Sequence, residues 1–120
     1  MTRFLRKTLV AASLLVAGSA SAATVEECMI DVGLARNAVT AATTFVHAKD
    51  QEGLAGKADS ASVKLSKGKF ADASLDLASM TAKVAELVGA AKPKLGADDG
   101  AAINAAVGTA STCVTQLMTQ

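Results

Sequence analysis

Between residues 25 and 48 the apolar positions recur in alternating steps of three and four: Val25, Cys28, Val32, Ala35, Val39, Ala42 and Val46. That spacing puts them on one face of a helix. Thr24 and Glu27 supply a capping-box signature, a hydroxyl at the N-cap and a carboxylate three residues on. Together they predict a first helix over Val25–Ala48. A second apolar row, Ile30, Leu34, Ala38, Ala41 and Phe45, lies beside the first and leaves only a narrow polar side. One row suffices for a peripheral bundle helix. Either both rows are covered by neighbouring helices, the plainer expectation, or Ile30, Leu34 and Phe45 are available to a partner or to an oligomer contact.

Phe70, Ala73, Leu77, Met80, Val84, Leu87 and Ala91 repeat the seam, with Asp72, Asp76, Ser79, Lys83 and Glu86 as its polar complement. This helix should end before Pro93, whose ring disfavours helical geometry in Lys92. Asp98 is placed to cap a last helix with Ile103, Ala106, Ala110, Cys113 and Leu117 as its seam. Leu54, Ala58, Ala61 and Leu65 predict a weaker helix over Leu54–Ser66, because Gly53 and Gly56 each cost about 1 kcal/mol against alanine. Gly68 then serves as its stop. No segment sustains the period-two alternation of a strand. Four amphipathic segments joined by short connections predict an all-α fold, an antiparallel up-down-up-down four-helix bundle.

The two cysteines sharpen that expectation. Cys28 falls near the start of the first helix and Cys113 near the end of the last, both on core seams. In an antiparallel bundle these points share an end only when the helix count is even. With three helices they would stand at opposite ends, about 30 Å apart for a 20-residue helix, far beyond the roughly 7 Å between Cα atoms that a disulfide allows. A Cys28–Cys113 bridge therefore requires the weak second segment to run back along the bundle.

The N-terminus bears on where such a bridge would form. Arg3, Arg6 and Lys7 precede a short apolar run over 8–18, and Ala20-Ser21-Ala22 fits a small-residue cleavage pattern. The three parts match a bacterial-type export signal over 1–22. The apolar run is shorter than the roughly 20 residues of a membrane-spanning helix, so no span is expected after cleavage. A single domain, 23–120, would then work in the periplasm or outside the cell, where disulfides persist. Without the three N-terminal cations, the domain holds nine basic and 11 acidic side chains, a net charge of −2. Its only aromatics are Phe45 and Phe70. An acidic chain without stacking aromatics lacks both parts of a nucleic-acid footprint. Alanine, serine, threonine and glycine let helices approach closely but bury little area per residue, which makes a covalent staple useful.

Catalytic and metal-binding chemistry finds little support. His47 is the only histidine, expected exposed in the last turn of the first helix, and it has no second histidine with which to build the common ligand sets. The acidic pairs Glu26-Glu27 and Asp98-Asp99 sit at predicted helix starts, where carboxylates complement the dipole. Lys64, Lys67 and Lys69 cluster in what reads as a solvated turn. Serine and glycine spacings match no nucleophile or phosphate-loop frame. These patterns predict no catalytic residue, metal or cofactor. They point instead to an exported helical interaction protein (an adaptor, inhibitor or immunity-like factor) that binds another protein. The alternative is a carrier holding a small molecule or cofactor in the bundle interior.

Overall fold

A computed structural model describes residues 22–120. Among them are four α-helices: α1 (Val25–Ala41), α2 (Ala48–Ser66), α3 (Phe70–Gly89) and α4 (Ala97–Thr119). No strand is present among the described residues. The expected export signal lies outside them, apart from Ala22.

The helices form a closed square. α1 packs on α2 and α4, and α3 packs on α2 and α4, with no diagonal contact. Neighbours meet start to end: Gln51 of α2 bonds the carbonyl of Val39 in α1, and Lys64 of α2 meets Asp76 of α3. At the other junction, Cys28 of α1 is bonded to Cys113 of α4. The Cα atoms of this disulfide are 5.4 Å apart and 85 positions separate them in sequence. Leu54, Leu65, Leu77, Met80, Ile103 and the loop residue Leu95 are fully buried and fill the interior. Alanines 35, 58, 61, 73 and 110 are also fully buried, so close helix approach substitutes for bulk.

The local signals explain most boundaries. The Thr24 side chain accepts from the Glu27 N–H at 3.1 Å, and the Thr24 N–H donates to Glu27 Oε1 at 2.9 Å, completing the capping box. Gly68, with φ +75°, terminates α2. The Lys69 N–H reaches the Lys64 carbonyl and the Gly68 N–H reaches that of Leu65, the paired bonds of a left-handed helix stop.

Three expectations are corrected. α1 ends at Ala41, seven residues before Ala48, because its last carbonyls are taken by another helix. Gln51 Nε2 donates to the carbonyls of Val39 and Ala42 at 2.9 and 3.2 Å. The chain that follows is tied to the α3–α4 connection: the Val46 N–H donates to the Lys94 carbonyl, and the Thr43 and Thr44 N–H groups donate to Asp99 Oδ2. Phe45 consequently packs half-buried on the core from a loop, Val46 is exposed, and His47 stands at the N-cap of α2 rather than in the last turn of α1. α2 begins at Ala48, six residues earlier than expected, since burial of Leu54, Ala55 and Ala58 outweighs the two glycines. α4 is N-capped by Gly96, without a side-chain cap from Asp98.

Candidate binding face

The square has two unlike sides. Along the α2–α3 seam, polar groups cross-link the helices. Lys64 Nζ lies 2.9 Å from Asp76 Oδ2, and Lys83 Nζ lies 3.7 Å from Asp50 Oδ1. Asp76, expected on the solvent side of its helix, is only 7% exposed. Burial pushes its carboxyl up, but hydrogen bonds from Lys64 and Ser60, helped by the charges of Lys64 and Lys57, outweigh burial and hold it below the ordinary value. Lys64 is therefore engaged across the seam rather than freely solvated. At the Lys83–Asp50 pair opens a groove of about 230 Å³, lined by Lys49, Asp50, Lys57, Lys83 and Ser79 with Leu54.

The α1–α4 side is held differently. Cys28 and Cys113 bind it covalently at one end. At the other end, Asp99 Oδ2 accepts from the Thr44 hydroxyl at 2.6 Å, while the same hydroxyl oxygen accepts from the Gly96 N–H at 2.9 Å. The Thr44 bond is the main reason that the Asp99 carboxyl lies below its usual range. Partial desolvation opposes it, and the Thr43 and Thr44 N–H groups reinforce it. Of the acidic pair 98–99, then, one member serves as a loop tie rather than as a helix cap.

Between these clamps the outward face joins exposed aliphatic side chains and the carboxylates of Glu27 and Asp31 on α1 to an uncharged surface on α4. Ile30 is 64% exposed and Leu34 54% exposed, so the neighbouring helices leave these two members of the second apolar row uncovered, whereas Ala38 and Phe45 pack against the core. Ile30 borders a groove of about 560 Å³ whose far wall is formed by Thr109, Thr112 and Gln116 of α4, with Cys113 also lining it. From Gly100 to Gln120 the sequence has no charged residue, although a surface helix ordinarily carries charges on its outer side. The exposed positions Ala101, Ala105, Gly108 and Thr112 make an outer row with steps of four, three and four. The α4 threonine hydroxyls are engaged within their own helix: Thr109 donates to the Ala105 carbonyl, Thr112 to that of Gly108 and Thr115 to that of Ser111. Their donor capacity is spent, so the outer row of α4 presents small side chains, with the Gln116 amide at the groove.

The structure thus separates the three residues singled out from the sequence. Ile30 and Leu34 share the outer face of α1, while Phe45 belongs to the core-packed loop and is not part of that face. The outer row of α4 went unremarked in the spacing of apolar residues, although its signal, a long uncharged stretch, is plain in the sequence. Among the described residues no group of three His, Cys, Asp or Glu side chains gathers at metal-ligating distance. No helix among them is long and apolar enough to cross a membrane. The disulfide fits an oxidising compartment. The fold defines a disulfide-linked, all-α four-helix bundle. The chain matches no known protein family, and no curated protein or solved structure is similar to it.

Proposed function

We propose that this chain is an exported, non-catalytic protein-binding module that uses its α1–α4 face to hold another protein chain. The observation that carries this reading is the exposure of Ile30 and Leu34 beside the uncharged stretch of α4 that begins at Gly100. Leaving two large aliphatic side chains about half in water forgoes on the order of 1 kcal/mol each, and neighbouring apolar side chains exposed together mark interaction sites. The disulfide supports work outside the cytoplasm, and the arrangement of charges followed by a small-residue motif in 1–22 supports export. A carrier role has less support, because large side chains fill the interior and the grooves lie between helices at the surface.

The reading is tested by affinity capture of the tagged full-length chain from the compartment into which it is exported. Wild type and a Leu75→Asp variant should retain the same bound protein. Leu75 is 68% exposed, but on α3, away from the proposed face. Leu34→Asp should lose the bound protein while remaining folded. Equal retention by all three chains, or no bound protein with any, would refute the reading.

A further inference from the structure

We infer that the groove between α2 and α3 is a binding site for a small aliphatic carboxylate. The site is separate from the α1–α4 face and does not depend on the role proposed for that face.

The groove is built from two facing rows. On α2, Lys49, Gly53 and Lys57 follow one another at intervals of four, so the glycine stands between two lysines on one side of the helix. On α3, Ser79 and Lys83 have the same spacing and line the opposite wall. Leu54, otherwise buried in the core, completes the lining. About 230 Å³ is open between the rows, a recess at the surface of a bundle whose interior is filled.

Folding alone does not account for what lines this recess. Lys49 stands in the first turn of α2, where the helix dipole disfavours a cation. Neither Lys49 nor Lys57 forms an ion pair among the described residues. Gly53 weakens the helix that contains it, yet an added Cβ would meet nothing within 4 Å. No neighbour requires its small size, and the space it leaves belongs to the groove.

The charges select an anion. Three ammonium groups line the groove against one carboxylate, Asp50, in a domain that is acidic as a whole. Lys83 is shared between Asp50 at 3.7 Å and Glu86 at 3.8 Å, so the charges of Lys49 and Lys57 stay uncompensated. His47 makes no side-chain bond at the N-cap of α2, and the free N–H groups of that first turn add positive potential at the same end. A neutral group laid over the lysines would strip their water without return, whereas an anionic head restores a counter-charge. The lining selects the rest of the ligand. Gly53, Leu54 and the lysine stems offer apolar contact, which an aliphatic body uses and inorganic phosphate does not. The groove is smaller than the roughly 300–1,000 Å³ of sites for drug-sized molecules, so the chain behind the carboxylate is short.

The test is a titration of hexanoate at neutral pH into the chain as it emerges from its producing cell, followed by amide NMR shifts. Hexanoate should bind saturably with a Kd of about 1 mM or tighter, and the shifted amides should cluster in 49–57 and 79–83. The double variant Lys49→Gln/Lys57→Gln should weaken binding at least about tenfold, while Lys67→Gln, at the C-cap of α2, should leave it unchanged. Gly53→Leu removes no charge and suits the helix. It should keep the far-UV spectrum and lose saturable binding, because its side chain fills the groove. Hexanol, which lacks the charge, and inorganic phosphate, which lacks the chain, should each bind at least about tenfold more weakly than hexanoate. An absence of saturable shifts in wild type would overturn the inference. So would shifts spread equally over the amides around Lys67, Lys69 and Lys92, hexanol or phosphate binding as tightly as hexanoate, or an affinity unchanged in both groove variants.

Discussion

The two sides of the bundle reach cohesion by different chemistry. α2 and α3 are held by ion pairs that run along their seam, with lysines left in water around them. α1 and α4 are held at their ends, by a disulfide and by the Thr44–Gly96–Asp99 knot, and α4 carries no charge from Gly100 onward. The difference has a physical rationale. Ion pairs along a seam leave charges on the flanking surface, which keeps that side wet. Fastening a helix pair covalently at one end and through its loops at the other lets α4 dispense with charge along its outer side. The uncharged side of α4 can be covered by another chain at low desolvation cost, whereas the lysine-rimmed groove cannot.

The largest expected effect comes from the α1–α4 clamp. Closing a loop of this length by a disulfide is worth about 4–5 kcal/mol in the chain-entropy model, comparable to much of a small domain's stability. Reduction, or replacement of both cysteines by alanine, should lower the melting temperature more than any single substitution on the α2–α3 side. A melt indifferent to reductant, or free thiols at both positions, would remove the covalent half of the contrast.

The seam of ion pairs should yield next. Asp76→Ala leaves Lys64 without its partner in a partly buried position and is expected to cost about 2 kcal/mol in urea denaturation, less than a fully buried pair because the ammonium can turn to water. Its pH dependence has a definite sign. A carboxyl whose folded pKa lies below its unfolded value contributes stability that is fully present above the unfolded value, about 3.9, and is lost as pH falls through the folded one. The gap in stability between wild type and Asp76→Asn should thus be constant near neutrality and close in acid. A gap that widens in acid would mean that the carboxyl is not held in its charged form by Lys64 and Ser60.

Smaller changes separate loop from seam. A Cβ at Gly96 would fall 2.7 Å from Thr44 Oγ1 and 3.0 Å from Thr44 Cβ. Gly96→Ala should therefore displace the hydroxyl that ties the two loops and cost about 1–2 kcal/mol. Gly53→Ala on α2 meets nothing within 4 Å and should instead stabilise by up to about 1 kcal/mol through helix propensity. The smallest effect belongs to Arg36 and Asp59, whose 2.8 Å pair joins α1 to α2 in the open. Arg36→Ala should change stability by less than about 1 kcal/mol, and less again in salt.

How much of this was legible in the sequence follows from which forces leave a local imprint. The seams of α3 and α4 and the Thr24–Glu27 box were readable because helical periodicity and capping are set by residues three or four apart. The Cys28–Cys113 bridge was readable because only an even number of helices brings those positions together. The stop of α1 at Ala41 was not, because the side chain that takes its last carbonyls, Gln51, belongs to the next helix. Asp76 was misplaced for a similar reason: a carboxylate on the edge of an amphipathic helix reads as solvated until the opposing Lys64 is known. Ile30 and Leu34 were identified as a second row, but whether other helices covered it depended on the arrangement of all four. The outer row of α4 was overlooked because small residues and threonine give weak hydropathy signals, and its missing charges become conspicuous only when the helix is known to lie at the surface.

The role of the α1–α4 face is tested most directly by the double variant Ile30→Asp/Leu34→Asp, followed by urea denaturation at concentrations low enough for single chains to dominate. Exposed positions tolerate such changes within about 0.5 kcal/mol. The variant should therefore unfold cooperatively at nearly the wild-type midpoint, keep its disulfide, and lose its association with any partner chain. An unfolded double variant, or one that is folded and associates as before, would contradict the assignment of this face as the binding surface.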